Sequence, residues 1–360
     1  MSASALLTRC LPGLALAAGL ALGSATAAAA PYTDFYVFGD SLSDTGNVAL
    51  VSGGTVPPAP YFNGRFSNGP NWADRFAAEG SLFTSTQTPL LPGSVLGNVG
   101  DNYAWGGART YGHSNPALNS IARLSSQIGA FASQHAGVAD PDALYVIWIG
   151  ANDMQDAVVA AATAYQNALI GGATPAAAQL IALPLINSAV TVAISNINSA
   201  IGSLLALGAD EFLVANLPDL SLTPRLAPAG LFAQYASTSF NAALLALLQT
   251  RPGTAHLADI QSAYNELLGN PAAYGFTNTT APCYTGDDIT FTPNTGTVCA
   301  NPDQYVFWDT FHPTAAASAW IEAEMVSALA ATIPEPASYA LLGAGLLAFG
   351  RARRQAGRRD

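Results

Sequence analysis

The sequence contains no lysine, and only 10% of its 360 residues are charged. Six of the twelve arginines lie outside residues 31–332, whereas 21 of the 23 acidic residues lie within that range. The middle of the chain therefore carries a net charge of about −15, which repels phosphate backbones and argues against a nucleic-acid partner. Half of the residues are apolar, so one large domain can bury a sizeable core.

Cysteine is also scarce, with three residues in the chain. Cys10 lies in the leader described below, which leaves Cys283 and Cys299 with fifteen residues between them. Two cysteines at this distance in an exported chain predict one disulfide. Metal binding fits them less well, because no histidine or further cysteine lies at ligand spacing. We therefore expect no metal and no other cofactor.

The first thirty residues have the pattern of a secretory signal peptide. Arg9 precedes an apolar run over 11–22, and Ala25-Thr26-Ala27 offers small residues for cleavage, so we expect a cut after Ala27 or Ala28. A retained membrane anchor fits less well because the apolar run is short.

The last residues, 333–360, carry a second targeting pattern. Pro334-Glu335-Pro336 is followed by an apolar run over 339–349 and a cluster of arginines. This order resembles the PEP-CTERM sorting signal of Gram-negative bacteria. The resemblance implies processing by an exosortase, transient anchoring in the membrane through a short helix, and delivery to the outer surface or extracellular matrix. A plain tail anchor and an amphipathic helix are the alternatives.

Between these segments, predicted strands alternate with predicted helices and no internal repeat is present. This alternation predicts a parallel sheet with helices on both sides. The predicted strands cover 35–38, 102–108, 143–149, 212–215 and 256–259. The longer predicted helices cover 121–135, 156–169, 174–207, 231–249, 260–268 and 315–331, and 269–302 is predicted to be a loop.

Three of the predicted strands end in polar or glycine-rich turns, at Ser41, Gly107 and Asn152. Because the carboxyl ends of parallel strands meet at one edge of the sheet, these residues are expected close together, where such folds bind ligands. Backbone N–H groups at Ser41 and Gly107 and the Asn152 amide could stabilise an oxyanion. Helix capping is the alternative role for Asn152.

A serine nucleophile needs a base, and the chain has four histidines to supply it: His113, His135, His256 and His312. Asp309 precedes His312 by three residues, a spacing that lets the carboxylate orient the imidazole. The pair could also make an ordinary surface hydrogen bond.

Four blocks of the sequence together resemble the GDSL, or SGNH, hydrolase family: residues 39–47, Gly107 with its neighbours, 150–153 and 309–314. The resemblance covers residues 34–331. It implies a three-layer α/β/α sandwich with a flavodoxin-like parallel sheet. It also implies a Ser41 nucleophile, a His312 base oriented by Asp309, and an oxyanion hole of Ser41, Gly107 and Asn152, with Gly106 as the alternative to Gly107.

The function predicted for the hydrolase domain, residues 31–332, is an exported carboxylic ester hydrolase acting on small-molecule, lipid or acyl esters. Aromatic residues beside the motifs could line an acyl pocket, although core packing is the alternative role, favoured for Trp148. These residues are Trp105, Trp148, Phe307, Trp308 and Phe311. Removal of O-acetyl groups from an extracellular polysaccharide is a second possibility, and a catalytically silent surface protein is a third.

Overall fold

The computed structural model describes residues 32–78, 82, 101–113 and 115–330. The predicted leader, most of the predicted loop over 80–100 and the predicted sorting segment over 333–360 lie outside these ranges.

Four parallel strands form the main sheet, in the order β1-β2-β3-β4. They are β1 Phe35–Gly39, β2 Leu144–Trp148, β3 Glu211–Ala215 and β4 Ala255–Ala258. The strand predicted over 102–108 contributes only a short ladder beside β1, in which Tyr103 N donates to Val37 O at 2.7 Å. With that segment included, the order along the sheet is the flavodoxin-like 2-1-3-4-5.

Nine α-helices are present in the described part of the chain. They are α1 Asn47–Val51, α2 Trp72–Phe76, α3 Asn119–Ala122, α4 Leu124–Gln134, α5 Ala151–Ile170, α6 Pro175–Leu207, α7 Gly230–Leu248, α8 Ile260–Gly269 and α9 Ala315–Ala330. Alternate strand residues face opposite layers. Phe38, Tyr145 and Phe212 belong to the cluster that contains α4 to α7 residues, and Val37, Val146 and Leu213 to the cluster with α2 and α9. The predicted α/β/α sandwich is confirmed.

The structure differs from the expected elements in three places. The helix expected over 121–135 is broken at Arg123, whose ψ of 155° is extended. Helix α5 begins at Ala151, five residues earlier than expected, and therefore includes Asn152 and Asp153. Within the expected loop over 269–302, β5 Asn278–Pro282 pairs in parallel with β6 Tyr305–Phe307. A disulfide joins Cys283 to Cys299 just beyond β5, with Cα atoms 4.9 Å apart.

Helices α5, α6 and α7 extend past the carboxyl edge of the sheet. Helix α5 leaves that edge after β2, and the antiparallel α6 returns to the opposite edge, where Ala139 N donates to Leu207 O. Helix α6 passes the start of α5 at Asn196, whose Nδ2 donates to Thr110 Oγ1 at 3.3 Å. At 1.5 Å per residue, the portion of α6 before Asn196 extends about 30 Å beyond this level.

The first half of α7 packs beside this hairpin. The rings of Phe232 and Tyr165 lie 5.4 Å apart, and Tyr235 Oη donates to Asn187 Oδ1 at 2.8 Å. We call residues 157–195 and 226–240 the helical projection. Two helical segments of the described chain, Pro175–Leu207 and Ala227–Leu248, are long and apolar enough to span a membrane by length and composition.

Candidate active site

Ser41 lies in the turn that follows β1, and its hydroxyl meets the ring of His312. Ser41 Oγ is 2.7 Å from His312 Nε2, although the two residues are 271 positions apart in the chain. The turn is fixed by Asp40, whose backbone oxygen accepts from Ser43 N and Asp44 N and whose Oδ1 accepts from Leu42 N. The hydroxyl is therefore held at the carboxyl edge of the sheet.

Asp309 binds the other side of the same imidazole. His312 Nδ1 is 2.7 Å from Asp309 Oδ2, so Nδ1 donates to the carboxylate and Nε2 is left to accept the Ser41 proton. Burial opposes ionisation of Asp309, but the charge and hydrogen bond of His312 and the backbone N–H groups of His312 and Phe311 hold its pKa below the usual value. Asp309 is therefore ionised while fully buried.

A fourth donor to Asp309 comes from a distant loop. Tyr61 Oη donates to Asp309 Oδ2 at 2.8 Å, and the Tyr61 side chain is itself buried. Burial, followed by the adjacent Asp309 charge, raises the pKa of Tyr61, so its hydroxyl stays a proton donor. Sequence analysis did not identify Tyr61, because nothing in its own segment marks it.

The residues expected to form an oxyanion hole surround Ser41 in the same cleft. Gly106 N–H is already used, because it donates to Asp44 Oδ2 at 2.8 Å. Gly107 N–H meets no acceptor in the described part of the chain, and its φ of 77° suits glycine. The Asn152 amide donates to Ala108 O at 3.0 Å, which leaves its second N–H for a ligand.

Asp44 and Asn47 join the serine turn to the Gly106 segment. Asp44 accepts from the backbone N–H groups of Gly46, Asn47 and Gly106, and Asn47 Nδ2 donates to the carbonyls of Asn102 and Ala104. Burial raises the pKa of Asp44 to about 6 in spite of these bonds. Both side chains therefore serve the structure of the site rather than its proton transfers.

The cleft around Ser41 has a volume of about 630 Å³ and a mixed lining. Its apolar side chains include Val48, Val51, Val56, Phe66, Leu118, Ile289 and Phe291. Its polar side chains include Arg109, Gln155, Arg225 and Asp288. Both arginines are already paired, Arg109 with Asp156 at 2.5 Å and Arg225 with Asp288 at 3.0 Å.

Of the aromatic residues considered for an acyl pocket, some line the cleft and others lie in the core. Trp105 and Phe311 line the cleft, whereas Trp148 and Phe307 line a separate, small apolar cavity on the other side of Phe311. Trp308 packs against Tyr61 and Tyr284 away from the cleft. Phe66, which sequence analysis did not select, lies 5.4 Å from the His312 ring.

The remaining histidines have other partners. His113 Nε2 is 2.6 Å from Gly106 O, His135 contacts Tyr103 Oη, and His256 pairs with Glu211 at 2.8 Å. Within the described ranges, no group of three histidine, cysteine or acidic side chains is placed to hold a metal ion.

A serine, a histidine and an aspartate joined by hydrogen bonds at the carboxyl edge of a parallel α/β sheet form the arrangement of a serine hydrolase. A family model described as GDSL-like Lipase/Acylhydrolase matches residues 35–325, and the chain belongs to that family of carboxylic ester hydrolases. The family resemblance expected from the four sequence blocks is confirmed.

Named relatives agree with this family. The chain is 29% identical over 277 residues to a phosphatidylcholine-sterol acyltransferase of Aeromonas hydrophila, covering 72% of this chain and 67% of the relative. It is 32% identical over 324 residues to esterase EstA of Pseudomonas aeruginosa, covering 80% of this chain and 45% of EstA. It is 27% identical over 326 residues to a GDSL esterase/lipase of Arabidopsis thaliana, covering 81% of this chain and 86% of the relative.

The carboxyl terminus matches a second family model. A PEP-CTERM protein-sorting motif covers residues 332–354, which confirms the resemblance seen in the sequence. The motif implies export in a Gram-negative bacterium, processing by an exosortase and association with a membrane or the cell surface.

Proposed function

We propose that the protein is an exported serine esterase that cleaves lipid or other long-chain acyl esters through an acyl-enzyme. The observation that carries the proposal is the pair of 2.7 Å contacts from His312, to Ser41 Oγ on one side and Asp309 Oδ2 on the other. A serine, a histidine and an aspartate linked in this way activate a hydroxyl that is otherwise a weak nucleophile.

In the proposed reaction, Ser41 Oγ attacks the acyl carbon while His312 Nε2 takes the hydroxyl proton. The charge that develops on the carbonyl oxygen is stabilised by the N–H groups of Ser41 and Gly107 and by the free N–H of Asn152, each worth about 3 kcal/mol. The C–O bond to the alcohol then breaks, and the alcohol leaves with the proton from His312. Water, deprotonated by the same ring, hydrolyses the acyl-enzyme and restores Ser41.

The mixed apolar and polar lining of the cleft supports an amphipathic substrate. An acyl chain fits beside the valines and phenylalanines, and a polar alcohol portion fits beside Gln155 and the paired arginines. The Aeromonas relative, by its name, transfers acyl groups from a phospholipid. We also propose a route of export. A signal peptide over 1–30 is cleaved, the carboxyl terminus anchors the protein transiently in the inner membrane, and the protein is finally delivered to the cell surface or extracellular matrix.

The test is an ester-hydrolysis assay with Ser41→Ala. We expect turnover of p-nitrophenyl esters to fall at least about ten-thousandfold, because the nucleophile is removed while the oxyanion donors remain. Ser52→Ala, which changes a serine of the same cleft that bonds its own loop and not His312, is the matched control and should keep its activity. Unchanged turnover by Ser41→Ala would refute the assignment.

Acyl length separates the substrate classes. Rates that rise from acetyl to long-chain esters support a lipid substrate. Activity confined to acetyl esters, with acetate released from cell-surface polysaccharide, would replace it with the O-acetyl esterase.

A further inference from the structure

The helical projection stands directly beside the mouth of the cleft. The first turn of α5 supplies Asn152 and Gln155 to the cleft lining, and the same helix continues outward into the projection. Thr110, which follows the cleft residue Arg109, bonds both Asp153 of α5 and Asn196 of α6. The projection is therefore fixed relative to the site by one buried and one partly buried hydrogen bond.

The projection carries no charged residue. The chain has no acidic or basic side chain between Asp156 and Asp210, and none between Arg225 and Arg251. This absence contrasts with the body of the protein, in which acidic residues outnumber arginines by more than three to one. The projection is thus an uncharged surface attached to an acidic molecule.

Large apolar side chains are exposed on the outer part of the projection. Ile170, Leu180 and Leu231 are 85%, 76% and 77% exposed. Further along α6, Ile181, Leu185 and Val192 are exposed on one face, since they are spaced four and seven residues apart.

Helix α6 is apolar on nearly all sides, a composition typical of a helix that is buried all round. Yet only 28% of its most apolar 18-residue window is buried. Ile181, Leu185 and Val192 share one face of α6, and an exposed apolar face of this kind marks an interaction site rather than ordinary surface variation.

We propose that the helical projection docks the enzyme on an electrically neutral lipid surface and thereby holds the cleft at that surface. The proposal rests on the proposed hydrolysis of lipid esters. A charged partner would find no opposite charge on the projection, and a second copy would bring together two bodies of about −15 net charge. Neutral head groups impose neither cost, and burial of the exposed isoleucine and leucines among acyl chains removes their apolar surface from water.

An environment-sensitive fluorophore tests the contact directly. Leu231→Cys carries the label in the projection, and Val138→Cys carries it at the opposite edge of the sheet, next to the Ala139–Leu207 hydrogen bond. The exported protein is labelled with its disulfide intact and mixed with phosphatidylcholine vesicles. We expect emission from the label at 231 to move to shorter wavelength and emission from the label at 138 to stay unchanged.

Kinetics test the consequence for catalysis. The triple variant Ile170→Ser, Leu180→Ser, Leu231→Ser should hydrolyse a long-chain ester held in phosphatidylcholine vesicles at least about tenfold more slowly, because it loses apolar contact. Its rate on a dissolved short-chain ester should be unchanged. The matched control is Ile121→Ser, Val138→Ser, Leu245→Ser, which removes three exposed apolar side chains outside the projection and should keep both rates.

The possible failures are distinguishable. A label at 231 that stays in water while the protein binds vesicles would overturn docking through the projection and assign binding to another segment. If the emission of the label at 231 shifts without vesicles, and the shift grows with protein concentration, the projection would instead bind a second copy of the protein. Loss of the short-chain activity by Ser41→Ala together with unequal vesicle rates for the two triple variants supports both proposals. An active Ser41→Ala refutes only the proposed function.

Discussion

Asp309 illustrates how much of this site depends on single hydrogen bonds. Its two oxygens accept four donors, the Nδ1 and backbone N–H of His312, the N–H of Phe311 and the hydroxyl of Tyr61. Each bond to a buried carboxylate supports its charge, and that charge orients the imidazole toward Ser41. Tyr61 thus acts on the proposed nucleophile through two intermediaries and is a positioning residue.

Replacing Tyr61 with phenylalanine removes one of these donors and little volume. The Asp309 carboxylate is then held by one donor fewer and positions the His312 ring less firmly. We expect kcat/KM to fall about tenfold, as for loss of one hydrogen bond to a charged group. Steady-state hydrolysis of a short-chain ester measures this.

Phe62→Leu is a suitable control, because Phe62 is the exposed neighbour of Tyr61 and makes no bond to Asp309. An unchanged kcat/KM in Tyr61→Phe would limit Tyr61 to packing.

At this scale the sequence identified the residues that carry their own motif and omitted those that do not. Ser41 and His312 are marked by their neighbours, and the structure brings them together. Tyr61 lies 248 residues from Asp309. Likewise Gln127, which bonds both the N–H and the carbonyl of Gly39 at the end of β1, looks like any helical glutamine. Contacts between remote segments leave no local signal.

The segment with the disulfide forms one wall of the site. Tyr284, next to Cys283, stacks on Trp308 with ring centroids 5.6 Å apart, and both rings pack against Tyr61. Further along, Asp288 accepts from the N–H of Thr310. The covalent link therefore stabilises the surroundings of Asp309 as well as its own loop.

We expect the double variant Cys283→Ser, Cys299→Ser to be less stable by about 3 kcal/mol, the value for closing a loop of this size. We also expect kcat/KM to fall, since Tyr61 loses part of its packing. Thermal unfolding and ester hydrolysis measure the two effects. Reduction of the unaltered protein should reproduce both, and an unchanged unfolding temperature in either case would contradict the role.

Elements with local start and stop signals were predicted well. Helix α6 begins at Pro175 after a Thr174 cap and ends before the capping Gly208. These three residues are start and stop signals that can be recognised in the sequence. Strand β5 was missed because Asn278–Pro282 is polar and pairs with the short strand β6. The expected strand over 102–108 is short because Gly106 and Gly107 turn the chain toward the site.

Across the whole molecule, buried carboxyl groups set the response to pH. Burial raises the pKa of Asp40 and Asp101 to about 7 and that of Asp153 to about 6. Each of these groups holds its proton in the folded state at a pH where the unfolded chain has lost it. Their contribution to stability is complete below the unfolded pKa of about 4 and is lost as pH rises toward 7.

The unfolding temperature should therefore fall between pH 5 and pH 8. Asp40→Asn should flatten this decline, and at pH 8 it should be more stable than the natural protein by up to about 4 kcal/mol. The contribution of Asp309 depends on pH in the opposite direction, because its pKa is lowered and its stabilising effect is lost only in more acidic solution. Calorimetry across this range tests the prediction, and a variant with the same slope as the natural protein would exclude Asp40 as the cause.

The cleft and the exit of the chain lie at opposite edges of the sheet. Helix α9 begins just after His312 and packs back across the sheet through Ile321, Met325 and Leu329, so the chain leaves it beside the residues where the strands begin. The sorting motif starts immediately afterward, at residue 332. Removal of the sorting motif would therefore cut the chain at the edge of the sheet remote from Ser41 and leave the lining of the cleft complete.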